Sequence, residues 1–333
     1  MRTGIYADKR QIVLDNHSLQ NYRDCPKKFK YRILDSLVEG GEALSLPQDT
    51  PPPIASQLLF GIAIHAGLDT LYVRQNVEAA CDTFIETYQP VPEDPKRTPT
   101  RGCDILTEYA DQYATELLSI KSVQTEIPFR IRLGSIKDLN GEEWEIYYGG
   151  VIDKLFATDE RSLDPTRKLR GIAAEKTNQN NNNYAHLRER ISTPAKLPNL
   201  DNDNIEIFRT VPRDLNTRAV RYYCMDHKTS SWQSESLLPA FSLSNQFMGY
   251  VAGAQQFLPA GAYCDTIIAD VLCIWPKKNA FMRNPLTFTE ERLNEFRIGI
   301  LQTVRHMLMD YQDNRFPRHG RDACTLWNKP CTY

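Results

Sequence analysis

The sequence predicts an α/β protein in which a mixed central sheet, flanked by helices, follows a helical N-terminal region. In the first third of the chain, apolar side chains recur at helical spacing, as Leu58, Ile62 and Leu71 do. From Ser122 onward apolar and polar residues alternate, which is typical of a half-buried strand. Because strand-like and helix-like segments then follow one another, we expect helices packed against a sheet.

The predicted elements divide the chain into a helical region at 1–121, a core at 122–311 and a cysteine-containing tail at 312–333, which we expect to form one compact unit. Helices are predicted at 18–37, with a kink or restart at Pro26, and at 55–75, 76–89 and 101–120. Strands are predicted at 122–133 and 144–156 around an Asn140-Gly141 turn, followed by a helix at 241–258, a strand at 266–274 and a helix at 289–311. Residues 158–216 are too long and irregular for a hairpin connection, which indicates an insertion.

Composition places the chain among ordinary globular proteins, since 41% of its residues are hydrophobic and 25% are charged. A formal net charge of -2 argues against a protein that coats DNA electrostatically, although it leaves room for a local cationic groove. The chain begins without the apolar core of a signal peptide and contains no run long enough to span a bilayer, so we expect a cytoplasmic location. Its eight cysteines are then expected to be free thiols or metal ligands rather than disulfides.

The most informative stretch is 221–230, where aromatic and apolar residues lead into Asp226-His227-Lys228. On a strand, Asp226 and Lys228 point to the same face while His227 points to the other. A carboxylate there can bind a hard divalent cation, and the neighbouring ammonium can position water or offset charge on a phosphate. Taken alone, however, the triplet favours an ordinary surface ion pair at a strand end.

Five segments together resemble the RecB-type branch of the PD-(D/E)XK nuclease superfamily, which includes AddB-like nucleases and CRISPR-adaptation exonucleases. The segments are Asp24-Cys25-Pro26-Lys27-Lys28-Phe29, Gly61-Ile62-Ala63-Ile64-His65, Gly150-Val151-Ile152-Asp153, Met225-Asp226-His227-Lys228-Thr229, and Gln246 to Tyr250. They follow the family's order and span nearly the whole chain. The insertion at 158–216 is the main departure from the family pattern.

This resemblance implies a restriction-endonuclease-like core and a Mg2+- or Mn2+-dependent DNA nuclease, expected to be an exonuclease acting on DNA ends or single strands. Asp153 and Asp226 would bind the metal, with a nearby main-chain carbonyl of the Asp226 strand as a further ligand. His65 would complete or tune the metal site. Glu126 is a weaker candidate ligand, because its place on the polar face of a strand favours a solvated carboxylate.

The resemblance also assigns roles in orienting the reactants. Lys228 would orient the attacking water. Gln246 and Tyr250 share a face of one predicted helix, where similar nucleases contact DNA. A helicase, a recombinase or a CRISPR-adaptation protein is a plausible partner by analogy with relatives.

The cysteines raise a separate expectation. Many relatives hold a 4Fe-4S cluster with one N-terminal and three C-terminal cysteines, and here Cys25, Cys324 and Cys331 fit that arrangement. The fourth ligand is not identified, so zinc or plain reduced thiols stay open as alternatives. The remaining cysteines are expected to be structural: Cys81, Cys103, Cys224, Cys264 and Cys273.

Two other functions compete with the exonuclease. One is a catalytically silent module that binds DNA or protein on the same scaffold, with the insertion serving a partner. The other is an endonuclease of the same superfamily. The silent module is disfavoured because the sequence keeps all the residues that catalysis would need, namely His65, Asp153, Asp226 and Lys228.

Overall fold

The computed structural model describes residues 3–34, 56–88, 94, 96–120, 122–158, 220–230, 241, 243–274 and 279–318. Within these ranges the chain is an α/β protein, with a mixed seven-stranded sheet flanked by helices. Residues 159–216 of the expected insertion, and the cysteines Cys324 and Cys331, lie outside the described residues.

The secondary structure follows the sequence prediction closely in the core. The strands are β1 (Gly4–Tyr6), β2 (Gln11–Leu14), β3 (Ser122–Lys137), β4 (Glu143–Ala157), β5 (Val220–Ser230), β6 (Ala262–Ile274) and β7 (Asn279–Thr287). The described α-helices are α1 (Asn16–Asp24), α2 (Pro26–Phe29), α3 (Ser56–Arg74), α4 (Val77–Thr87), α5 (Pro99–Gln112), α6 (Ala114–Ser119), α7 (Asn245–Ala254) and α8 (Glu290–Gln312). The predicted restart at Pro26 is confirmed, because Cys25 is extended between α1 and α2.

The sheet has the order β1-β2-β4-β5-β6-β7, and β3 also pairs with β4. The pairs β2–β4 and β5–β6 are parallel, and the others are antiparallel. The N-terminal region also contributes β1 and β2 to this sheet, two strands that were not predicted. Strand β7 was likewise not predicted.

The turn between β3 and β4 differs from the two-residue hairpin that Asn140-Gly141 suggests. Backbone pairing ends at Lys137 and Glu143, which leaves a longer loop. Gly141 has a φ of +80°, which only glycine adopts easily. The Asp138 carboxylate accepts hydrogen bonds from the amides of Asn140 and Glu142, both at 2.8 Å, and so fixes the loop.

Strand β4 has two successive partners along one edge, and the candidate site lies where the partner changes. β2 pairs with it through Tyr148, whereas β5 pairs with it only from Lys154 onward. The intervening residues 149–153 therefore form a fork between β2 and β5, while β3 continues along the other edge. Asp153 lies at the end of this fork.

Two hydrophobic cores cover opposite faces of the sheet. The first core contains side chains of α1, α7 and α8, and the second contains side chains of α3, α4 and α5. On β5, Cys224 belongs to the first core, while its neighbours Tyr223 and Met225 belong to the second. This alternation is the ordinary pattern of a strand buried on both faces.

Substitution of two helical glycines, Gly249 and Gly299, can show how tightly the helices pack on this side of the sheet. A β-carbon at Gly249 of α7 would overlap the buried ring of Tyr148, whereas one at Gly299 of α8 meets nothing within 4 Å. Gly249→Ala is therefore expected to destabilise the protein by about 1–3 kcal/mol through overpacking. Gly299→Ala should stabilise it by up to about 1 kcal/mol, since alanine is the better helix former. Urea unfolding of both variants checks this, and equal shifts would contradict the packing argument.

Candidate active site

Side chains from four separate elements meet at the fork in the sheet. Helix α3 contributes His65, strand β4 contributes Asp153, and strand β5 contributes Asp226 and Lys228. Helix α7, on the side of the first core, contributes Gln246. The first and last of these residues, His65 and Gln246, are 246 − 65 = 181 positions apart in the sequence. The fold therefore assembles the group from distant parts of the chain.

Asp226 is the centre of this group. Its side chain is fully buried, and Oδ1 accepts hydrogen bonds from Lys228 Nζ at 2.9 Å and from Gln246 Nε2 at 3.2 Å. Oδ2 lies 2.8 Å from the same lysine nitrogen but receives no hydrogen bond of acceptable angle. Burial raises the pKa of Asp226 to about 7, against the opposing effect of Lys228. The site thus holds a buried carboxylate oxygen without a hydrogen-bond partner.

Asp153 interrupts the regular pairing of β4. In the register of β3 and β4, Thr125 pairs with Lys154 and Ile127 with Ile152, but Glu126 and Asp153 form no pair. Glu126 has a φ of +50°, a left-handed conformation that is unusual for this residue type. Asp153 Oδ2 instead accepts a hydrogen bond from the backbone amide of His227 at 3.3 Å. The Asp153 side chain therefore binds β5 at the point where backbone pairing between β4 and β5 ends.

His65 approaches the acids from α3. Its Nδ1 lies 3.7 Å from Asp153 Oδ2, which is beyond direct hydrogen-bond distance. Burial lowers the pKa of His65, although Asp153 and a hydrogen bond with the His227 backbone act in the opposite direction. The imidazole is therefore neutral near pH 7, the form that can bind a metal. Gly61, one turn earlier, lets the helix approach Thr229 of β5 closely.

Asp69 is an acidic neighbour that the sequence analysis missed. Burial raises its pKa to about 7, Lys154 acts in the opposite direction, and Glu126 and Asp153 add to the increase. The pKa of Glu126 is also raised, by burial and then by Asp153. The spacing of four residues between His65 and Asp69 on one helix face was the signal that could have identified Asp69.

Gln246 and Tyr250 are brought together as their spacing suggests. Gln246 Nε2 donates to the Tyr250 hydroxyl at 2.8 Å as well as to Asp226. Tyr250 is only 7% exposed and belongs to the first core. In this geometry Tyr250 orients Gln246, and its direct contact with DNA stays a prediction.

The donor set suits a hard divalent cation only in part. Two carboxylates on neighbouring strands, one with an unsatisfied buried oxygen, are the ligand type that Mg2+ and Mn2+ take. In the described part of the chain, however, no three His, Cys, Asp or Glu side chains lie close enough together to hold a metal ion. A cation at Asp153 and Asp226 would therefore also need main-chain oxygen, water or a substrate phosphate, as Mg2+ commonly does.

A buried polar cluster lies beneath the site on the face of the second core, and sequence reasoning did not find it. Arg283 of β7 donates to Asp270 Oδ1 at 3.0 Å and forms an ion pair with Glu116. It also donates to the hydroxyls of Tyr72 and Tyr109, both at 2.7 Å. Two acids and one arginine are thus paired without solvent, and they join α3, α5 and α6 to β6 and β7.

The charge state of Asp270 follows from these contacts. Burial alone would raise its pKa, but Arg283 and hydrogen bonds from His227 and Tyr109 outweigh burial and hold the pKa well below its ordinary value. A lone acid in the apolar run 267–273 was the available sequence signal.

Of the three cysteines expected to bind a cluster, the structure describes only Cys25, which is buried and free. The amide of Lys27 donates to the carbonyl of Pro317 at 3.2 Å, so the segment that precedes Cys324 starts beside Cys25. The described cysteines of the remaining set are all free thiols: Cys81, Cys103, Cys224, Cys264 and Cys273.

Comparison with known proteins adds no relative. No family model matches the sequence, and no curated protein is significantly similar to it. Within the described ranges, no helix combines the length and apolarity needed to cross a membrane. Any assignment of function therefore depends on the residues of the site themselves.

Arg283 is expected to be the most costly polar side chain to remove. Arg283→Met leaves the carboxylates of Asp270 and Glu116 buried without their cation, which should destabilise the protein by about 3–5 kcal/mol. The matched control is Arg292→Met, because Arg292 pairs with Glu295 on the exposed surface of α8. Its cost should stay below about 1 kcal/mol. Urea unfolding distinguishes them, and similar midpoints would refute the buried-pair argument.

Asp226 is expected to reduce the stability of the metal-free protein at high pH. Its folded-state pKa of about 7 lies above the ordinary value of 3.8, so the folded state keeps the proton that the unfolded chain loses. Stability should therefore fall as the pH rises between these values. In EDTA, Asp226→Asn should unfold at a higher urea concentration than the wild type at pH 8, and the difference should vanish toward pH 4. The exposed substitution Glu78→Gln serves as the control, and an Asp226→Asn variant that is less stable at pH 8 would contradict the assignment.

Proposed function

We propose that this chain is a metal-dependent DNA nuclease of the RecB-type PD-(D/E)XK group, acting as an exonuclease on DNA ends or single strands. The observation that carries the proposal is the meeting of four motif residues: His65, Asp153, Asp226 and Lys228. These residues are far apart in the sequence, and such residues have no general reason to meet at one point of a sheet.

The side chains present can support phosphodiester hydrolysis. A Mg2+ or Mn2+ ion held by Asp153 and Asp226 would polarise the phosphate and lower the pKa of a bound water. Lys228 is 38% exposed and keeps its ammonium against Asp226, so it can reach both the water and the phosphate. Gln246 also donates to Oδ1 of Asp226, and the buried Oδ2 has no hydrogen-bond partner. The attacking water would bond to phosphorus while the bond to the leaving oxygen breaks.

The exposed face beside the site suits a single nucleic-acid strand. On β4, Tyr147 and Val151 are four residues apart and so lie on one face of the strand, shortly before Asp153. The Arg130 guanidinium lies 4.6 Å from the Tyr147 ring centre, and Val151 is 41% exposed. Aromatic and cationic groups in such a row bind bases and phosphates without strong sequence preference. This arrangement supports a single strand that leads to Asp153.

A 4Fe-4S cluster is a separate proposal that the nuclease does not require. The contact between Lys27 and Pro317 supports it, because Pro317, which precedes Cys324 in the sequence, lies beside the segment that contains Cys25. Its role would be structural, joining the two ends of the chain. The visible absorption of the purified protein distinguishes a cluster from bound zinc or reduced thiols.

The nuclease is tested with an end-labelled single-stranded oligonucleotide in Mg2+, Mn2+ or EDTA. The wild type should shorten the strand only with metal, and Asp153→Asn, Asp226→Asn and Lys228→Met should each lower the rate by at least about 100-fold. Glu78→Gln and Lys9→Met, both on the exposed surface, are the matched charge controls and should keep the wild-type rate. Circular dichroism verifies that every variant is folded.

The alternatives give different results in the same assay. Cleavage of a circular single strand would identify an endonuclease instead. A folded wild type that binds the strand in EDTA but never cuts it would identify the silent binding module. Site variants with the wild-type rate would remove the mechanism, whichever substrate is cut.

A further inference from the structure

The imidazole of His227 is fixed at both nitrogens, although it lies on the opposite face of β5 from Asp226 and Lys228. Its Nδ1 is 2.6 Å from Asp270 Oδ2, and its Nε2 is 2.6 Å from Lys154 Nζ. Because the ionised Asp270 can only accept, Nδ1 carries the hydrogen and Nε2 accepts from the lysine. All three side chains are at most 1% exposed. His227 therefore has one orientation.

The backbone of His227 belongs to the candidate active site. Its amide donates to Asp153 Oδ2, and its two neighbours in the chain are Asp226 and Lys228. Backbone pairing between β4 and β5 reaches Met225 and Lys154 and does not extend to His227. On the β4 side, His227 is therefore held by side chains rather than by backbone pairing, through its contacts with Asp153 and Lys154. Movement of the His227 backbone would therefore change the distance between Asp153 and Asp226.

The anchors of His227 are themselves held firmly. Asp270 accepts from Arg283 at 3.0 Å and from Tyr109 at 2.7 Å. The Lys154 ammonium lies 3.4 Å from the centre of the Tyr72 ring, a close cation–π contact. An apolar residue at 227 could fill the same space without these contacts, so filling the core does not explain the polar arrangement.

We propose that His227 is a positioning residue of the nuclease site, with Asp270 and Lys154 as its anchors, and that it fixes the distance between Asp153 and Asp226. The proposal rests on the proposed function, because positioning matters only if the two acids act together. His227 itself touches no substrate. It acts through the amide that holds Asp153 and through the strand that carries Asp226.

The test compares two substitutions of His227 with a remote control. His227→Asn keeps a donor toward Asp270 and loses the contact with Lys154, whereas His227→Leu loses both. Tyr88→Phe removes a part-buried hydrogen bond to the Arg97 carbonyl from a second-core residue that, within the described part of the chain, forms no hydrogen bond or ring contact with Asp153, Asp226 or His227. The measurements are kcat, KM, the Mn2+ concentration at half-maximal rate, and hydrogen–deuterium exchange of peptides covering 222–230.

We expect His227→Leu to lower kcat by about 10- to 100-fold with little change in KM, since small displacements of catalytic groups have effects of this size. It should also raise the Mn2+ requirement and speed exchange at 222–230. His227→Asn should recover part of each loss. Tyr88→Phe should lower the melting temperature but leave kcat and the Mn2+ requirement unchanged.

The proposal would be overturned if a folded His227 variant kept the wild-type kcat, the wild-type Mn2+ requirement and the wild-type rate of hydrogen–deuterium exchange. If His227→Leu does not fold, His227→Asn decides alone on the same criteria. A wild type without nuclease activity would remove the proposed function. The exchange data would then still show whether His227 holds the contact with Asp153, and unchanged exchange would refute that contact as well.

Discussion

The pairing of buried charges beneath the sheet constrains the rest of this structure. Lys154, Arg283, Asp270 and Glu116 are removed from water, and with His227 neutral their formal charges cancel. Each of these groups would cost several kcal/mol if it were buried alone, so their elements cannot shift independently. Helices α3, α5 and α6 are thereby tied to β4, β6 and β7. The position of His65 on α3 relative to the strands follows from the same constraint.

Strand geometry places anchoring residues next to functional ones. Asp226 and His227 are adjacent in the chain and point to opposite faces of β5, one to the proposed site and the other to the buried charges. On β4, Lys154 follows Asp153 in the chain and contacts the side chain of His227 among the buried charges. Each acid is thus followed in the chain by a residue, Lys154 or His227, whose side chain is held by the buried polar groups. A surface loop could present the same acids, but it would lack that support.

Much of the candidate site could be predicted from the sequence, because strand and helix periodicity settles which side chains share a face. Asp226 meets Lys228 for this reason, and Gln246 meets Tyr250. The sequence did not indicate β7, whose Pro285 and two asparagines break any strand pattern, since it is a strand only through its pairing with β6. Asp270 and Arg283 were missed because their significance depends on a tertiary partner. Short strands such as β1 carry too few residues for a periodic signal.

The unpaired position between Glu126 and Asp153 also changes which core each strand faces. On β3, Val123 belongs to the second core while Ile127 belongs to the first. On β4, Phe156 and Ile152 show the same switch. One end of the β3–β4 hairpin therefore packs into each core. Separation of either helical layer from the sheet would expose apolar side chains of this hairpin. The hairpin thus contributes to both cores, and it changes from one core to the other at the position of the proposed catalytic acid.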